Sequence, residues 1–108
     1  MRWLDTGTAL PEAIFACNDA MALGALDALR SHGQRVPEDV ALAGFDDIPM
    51  ARFVNPALTT VLQDTRQAGE MLVDALLRMI RGEKVESEIL PVKLTVRRSS
   101  LRGGAGGK

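Results

Sequence analysis

The chain has 108 residues, 46% of them hydrophobic and 25% charged, with a formal net charge of −1. That length suits one domain with one core, and the small charge excludes nucleic-acid binding by bulk electrostatics. Aromatic residues are 4% with no tyrosine, which argues against base-stacking modules.

The charge sum conceals an asymmetry. Residues 1–63 carry 4 basic and 8 acidic side chains, and residues 64–108 carry 9 and 6. The positive excess (Lys93, Arg97, Arg98, Arg102, Lys108) reads as a solvated strand and tail. A single cysteine, Cys17, excludes an internal disulfide and fits a reducing compartment. No apolar run approaches the roughly 20 residues of a membrane span. The opening has no basic segment followed by an apolar stretch, so no signal peptide is expected, and the expected location is cytoplasmic.

Taken in chain order, Met1 to Leu10 shows no period and ends at Pro11. Ala13-Ile14-Phe15-Ala16-Cys17 is a short continuous apolar run, the pattern of a strand buried on both faces in a parallel sheet. Asn18 is placed to cap a helix over residues 20–30, with Asp19 favourable to its dipole. Ala22, Leu23, Leu26 and Leu29 form its apolar stripe, and Gly33 supplies the stop. After the turn Val36-Pro37-Glu38-Asp39, residues 40–45 read as a second buried strand ending at Asp46-Asp47. Strand, helix and strand with short turns make a right-handed βαβ unit with parallel strands.

Residues 48–58, with Pro49, Asn55 and Pro56, read as a loop, and Leu58-Thr59-Thr60-Val61 as a short strand. The strongest helical pattern covers residues 64–81, with Ala68, Met71, Leu72, Ala75, Leu76 and Met79 on one stripe and Gly82 after it. Residues 90–97 alternate, with Leu90, Val92, Leu94 and Val96 on one face and Lys93, Thr95 and Arg97 on the other. This is the period of a half-exposed edge strand, where Pro91 is tolerated. Residues 101–108, rich in glycine, are expected to be disordered.

Asp46-Asp47 and Asn18-Asp19 each follow a buried strand, where open α/β sheets bind ligands. An amide and carboxylates at one sheet edge suit a polyhydroxylated ligand. The residues alone leave open a plainer reading, in which Asn18 only caps its helix and the acids only end a strand. A catalytic or magnesium pair at Asp46 and Asp47 is disfavoured, because neighbours on an extended chain point to opposite faces. His32 reads as a helix-end cation and Cys17 as buried and inert. No catalytic residue, metal ligand or cofactor is assigned.

These residues form a pattern. Ala13-Ile14-Phe15-Ala16-Cys17-Asn18-Asp19, Met21-Ala22-Leu23-Gly24-Ala25, Gly33 and Val36-Pro37-Glu38-Asp39-Val40 are followed by Gly44-Phe45-Asp46-Asp47. Pro56-Ala57-Leu58-Thr59-Thr60-Val61, Gly69, Leu90-Pro91, Leu94 and Arg97-Arg98-Ser99-Ser100 continue it. In that order they resemble the C-terminal part of the effector-binding domain of LacI/GalR-type transcriptional regulators, over residues 11–100.

The resemblance implies an α/β, parallel-sheet (Rossmann-like), periplasmic-binding-protein-like fold, present as an incomplete C-terminal fragment. It implies that Asn18 and Asp46 hydrogen-bond a sugar-like or purine-like effector. Gln63 and Thr65 would line the cleft at a crossover between subdomains. The helix over 64–81 would belong to the other subdomain. Leu23 and the segment around Phe53 and Val54 resemble a dimerisation surface; Leu26 and Leu29 serve equally as core. Residues 1–10 stand outside the pattern, and Trp3 matches no effector-stacking aromatic. The DNA-reading helix-turn-helix and hinge of such regulators are not in this sequence, so DNA would be bound only through a module elsewhere in an intact, homodimeric parent. The alternatives are a fragment of a sugar-binding transport protein and, more remotely, a hydrolase using Asp46.

Overall fold

The structure, a computed structural model, describes residues 9–102. Its elements run β1 (Ala13–Phe15), α1 (Asp19–Ser31), β2 (Ala41–Ala43), a 3-10 turn (Pro49–Arg52), β3 (Thr60–Gln63), α2 (Thr65–Ile80), β4 (Val92–Thr95) and a second 3-10 turn (Arg98–Ser100). Contacts divide the chain into two compact units: one up to Leu62 and again from Leu94, the other Gln63–Lys93.

In the first unit β1 and β2 pair in parallel, in the register Ala13↔Ala41, Ile14↔Leu42, Phe15↔Ala43. A parallel bridge Ala43↔Thr59 carries the ladder on towards β3. The strand–helix–strand reading thus describes the topology, with strands shorter than the apolar runs implied. α1 begins where the Asn18 side chain accepts the Met21 N–H at 2.8 Å. It ends in a Schellman motif: Gly33, at φ +75°, donates to Arg30 C=O and Gln34 N–H donates to Leu29 C=O. A β-carbon in that backbone conformation is strained, which is why the glycine stands there.

The core lies in this unit and comprises Ala16, Ala22, Leu26, Leu29, Val36, Val40, Leu42, Ala51 and Leu58. Leu26 and Leu29 are therefore core side chains, and Leu23 is only partly buried beside them. Full burial of Leu29, Leu42 and Leu58 stabilises by roughly 2 kcal/mol each relative to exposure.

The expectation that β1 is buried on both faces does not hold: Phe15 is 64% exposed. Cys17, expected to be buried, is exposed, because β1 ends two residues earlier and Cys17 lies on the connection into α1. Leu101 and Arg102, expected to begin a disordered tail, are held. Leu101 N–H donates to Arg98 C=O, and Arg102 bonds Pro37 C=O at 3.1 Å and the Glu12 carbonyl.

In the second unit Asp64 caps α2 by accepting the Gln67 N–H at 3.0 Å. Gly82, at φ +85°, and Glu83 close it with the same Schellman pairing, to Met79 and Arg78 C=O. No α2 residue is buried. Its apolar stripe has the expected helical period but remains open, Leu72 and Ile80 being more than 70% exposed.

β3 and β4 pair with each other, and the chain passes between the units along these two strands. Residues 90–97 alternate in sequence as expected, but burial does not follow the alternation: Lys93 on the polar side is exposed and Leu90 on the apolar side is half-buried. Val92, Leu94 and Val96 are exposed, while Thr95 and Arg97 are half-buried. Arg97 makes the tertiary bonds described next, and these hold its own side chain inward.

Candidate functional site

At the carboxyl ends of β1 and β2 the first unit gathers its polar side chains. Asp19 N–H donates to Phe45 C=O at 2.9 Å, so the residues after β1 and those after β2 lie side by side. Asn18 contributes an amide there. Its Oδ1 is committed to the α1 cap, and capping leaves the two N–H donors of Nδ2 unused.

Asp19 is fully buried. Its Oδ2 accepts the Ile48 N–H at 2.9 Å and its Oδ1 accepts the Thr60 hydroxyl at 2.6 Å. A carboxylate removed from water needs such donors. Sequence reading gave Asp19 a favourable place in the helix dipole and a position among the carboxylates of the ligand edge; its burial and internal bonds correct the second expectation. The missed signal was Gly44: a β-carbon there would overlap Asp19 Oδ1 and lie 3.2 Å from Asp19 Cα. Only glycine lets the end of β2 pass this close to α1.

The Asp46-Asp47 turn is not extended. Both residues have positive φ, 119° at Asp46 and 54° at Asp47, so the expectation that they alternate as on a strand is corrected. Asp46 N–H donates to Val61 C=O at 2.9 Å, and Asp47 N–H donates to Thr60 Oγ1 at 3.2 Å. The Asp47 carboxylate turns inward and accepts Arg97 NH1 at 2.9 Å, in an ion pair whose side chains are 8% and 15% exposed. Asp46 is exposed. Its carboxylate is the free acceptor of the pair.

Two motifs of the family pattern, the threonines at 59–60 and the serines at 99–100, interlock beneath this turn. Thr59 Oγ1 donates to Arg97 C=O at 2.9 Å and accepts the Arg97 N–H at 2.7 Å. With its proton so used, Thr59 accepts from Ser100 Oγ at 2.6 Å. Ser99 Oγ donates to Leu42 C=O at 2.5 Å and accepts Thr59 N–H at 2.8 Å. Arg97 NH1 also reaches Leu58 C=O at 3.0 Å. The segment after β4 is thereby fastened to β2 and to the start of β3.

Of the four expected effector contacts, Asn18 and Asp46 meet at this edge of the first unit. Gln63, half-buried at the end of β3, and Thr65, exposed as the first residue of α2, belong to the second unit. Of the expected dimer residues, Phe53 is 75% exposed, while Leu23 and Val54 pack partly on the core. His32 is the α1 C-cap, its Nδ1–H donating to Ala28 C=O at 3.0 Å. Among the described residues no group of three His, Cys, Asp or Glu side chains is placed to hold a metal ion. None of the described helices is long and apolar enough to cross a membrane. A shallow depression lined by Arg30, Arg35, Pro37, Glu38, Pro56 and Arg98 has its arginine charge offset by Glu38 and by the Arg35–Asp39 pair.

The profile of the family described as periplasmic binding protein-like domain matches residues 1–100, including the ten set apart by the sequence pattern. The chain belongs to this family, in its LacI/GalR regulator branch. The HTH-type transcriptional repressor PurR of Histophilus somni (strain 129Pt) is 39% identical over 92 residues, which are 83% of this chain and 28% of that repressor. A lac repressor dimer bound to operator and the anti-inducer ONPF superposes with a TM-score of 0.85 at 38% identity, covering 94% of this chain and 35% of that one. The transcriptional regulator CelR in complex with cellobiose gives a TM-score of 0.75 at 42% identity, over 82% of this chain and 28% of that one. This LacI/GalR-type chain thus spans under a third of the length of PurR.

Proposed function

We propose that the chain is the effector-sensing part of a LacI/GalR-type transcriptional regulator, and that Asn18 and Asp46 hydrogen-bond the effector. The observation that carries this is the Asp19–Phe45 backbone bond, which sets an amide donor beside an exposed carboxylate acceptor at one sheet edge. A sugar hydroxyl both donates and accepts, and so does a purine edge, so either suits that pair. The CelR–cellobiose complex supports the sugar. The assignment of Gln63 and Thr65 rests on the family resemblance.

In an intact parent, effector binding would shift the equilibrium between states of different operator affinity. DNA would be read by a module other than these residues. The chain works as a binding module without catalysis, in the cytoplasm with its DNA target. The lac repressor dimer supports a homodimeric parent, with Leu23, Phe53 and Val54 proposed at its interface. The transport reading is not favoured, since the relatives are repressors.

A chimera tests this. Residues 11–100 replace the matching segment of the Histophilus somni PurR, and operator affinity is measured with and without candidate sugars and purines. The expected result is an effector-dependent change that Asp46→Asn abolishes while operator binding persists. A response unchanged by Asp46→Asn would sink the assignment.

A further inference from the structure

We propose that Asp47 and Arg97 are positioning residues that hold Asp46 in its ligand-binding orientation without touching the effector themselves. This rests on the reading of Asp46 as an effector contact. A φ of 119° at Asp46 followed by 54° at Asp47 is a backbone path that non-glycine residues take only when their surroundings over-determine it.

Three contacts supply that constraint. Asp46 N–H is held by Val61 C=O, Asp47 N–H by Thr60 Oγ1, and the Asp47 carboxylate by Arg97. The first two engage backbone donors and survive most substitutions. The third depends wholly on side chains. Arg97 is in turn anchored at its backbone N–H and C=O by Thr59 and at NH1 by Leu58 C=O. A rigid guanidinium therefore meets the turn from the segment that follows β4. With Asp47 pulled inward, Asp46 is left facing solvent at the sheet edge.

Amide hydrogen exchange on the full chain, with cellobiose and adenine as probes, tests this. Asp47→Asn keeps an oxygen acceptor for Arg97 and tolerates positive φ, so the Asp46 and Ile48 amides should exchange as in the parent chain. Asp47→Gly tolerates the backbone but removes the acceptor, and Arg97→Leu removes the donor. Both should speed those two amides at least tenfold while Leu26 and Leu29 stay protected. Probe-induced shifts at Asn18 should weaken in parallel. Should Arg97→Leu fail to fold, Arg97→Lys is expected to give a smaller acceleration. Unaltered exchange in Asp47→Gly and in the foldable Arg97 variant would overturn the proposal. Asp46→Asn, which tolerates positive φ where alanine would strain the turn, separates the two ideas. It should abolish probe binding and leave Ile48 exchange unchanged; probe binding that survives it removes the effector reading, whereas exchange alone decides how the turn is held.

Discussion

Asp19 and Gly44 share one space: the carboxylate of Asp19 fills the volume that a side chain on Gly44 would need. Asp19 also bonds Ile48 N–H and the Thr60 hydroxyl, so it cannot withdraw without leaving buried donors unpaired. Gly44→Ala is therefore expected to destabilise the chain by roughly 1–3 kcal/mol, the range for overpacking. In an Asp19→Ala background the same change should cost less, and urea denaturation of the four-member cycle measures the difference. Strict additivity would show that the two sites do not compete.

Asn18 has two roles that substitution can separate. Asn18→Ala should cost about 1 kcal/mol through loss of the cap on α1, whereas Asn18→Ser should be nearly neutral because serine caps as well. If the amide donors also serve an effector, Asn18→Ser in the PurR chimera should weaken the response while stability is retained. Equal response from Asn18→Ser and the parent would reduce Asn18 to a cap.

The two helices should answer truncation differently. Leu29 is fully buried and Leu76 is exposed. Leu29→Ala is expected to cost roughly 2–5 kcal/mol, and Leu76→Ala less than about 0.5 kcal/mol, as at other surface positions. Comparable losses in thermal or urea unfolding would mean that the α2 stripe is covered in solution.

Asp39 is held below the ordinary carboxylate range, first by the Arg35 side-chain hydrogen bond and then by the Arg35 backbone N–H. A lowered folded-state value means that its contribution is present above the unfolded value of about 3.9 and is lost as pH falls through the folded one. An NMR titration should give Asp39 a midpoint below the ordinary carboxylate value, and Arg35→Gln should raise it. Because the pair is solvent-exposed, salt should weaken the effect. A midpoint indifferent to Arg35→Gln would contradict the pairing.

Much of the first unit was legible in the sequence because its signals are local. The apolar run before Asn18, the cap, the 3.6-residue stripe of α1 and the glycine that ends it are each read within one or two turns of chain. The α2 period and its Gly82 stop are of the same kind. The edge where Asn18 and Asp46 meet was also legible, since each follows the end of an apolar strand.

What tertiary structure alone decided involves partners far apart in the chain. Asp19 to Thr60 spans 41 positions, Arg97 to Asp47 spans 50, and Ser99 to Leu42 spans 57. No local period records such pairs. They determine that Asp19 is a buried clamp, that Asp47 turns in while Asp46 turns out, and that Arg97, just past β4, turns inward. Composition and periodicity determined which segments form helices and strands. The choice of inward side chains at the sheet edge was left to hydrogen bonds that exist only once those segments have met.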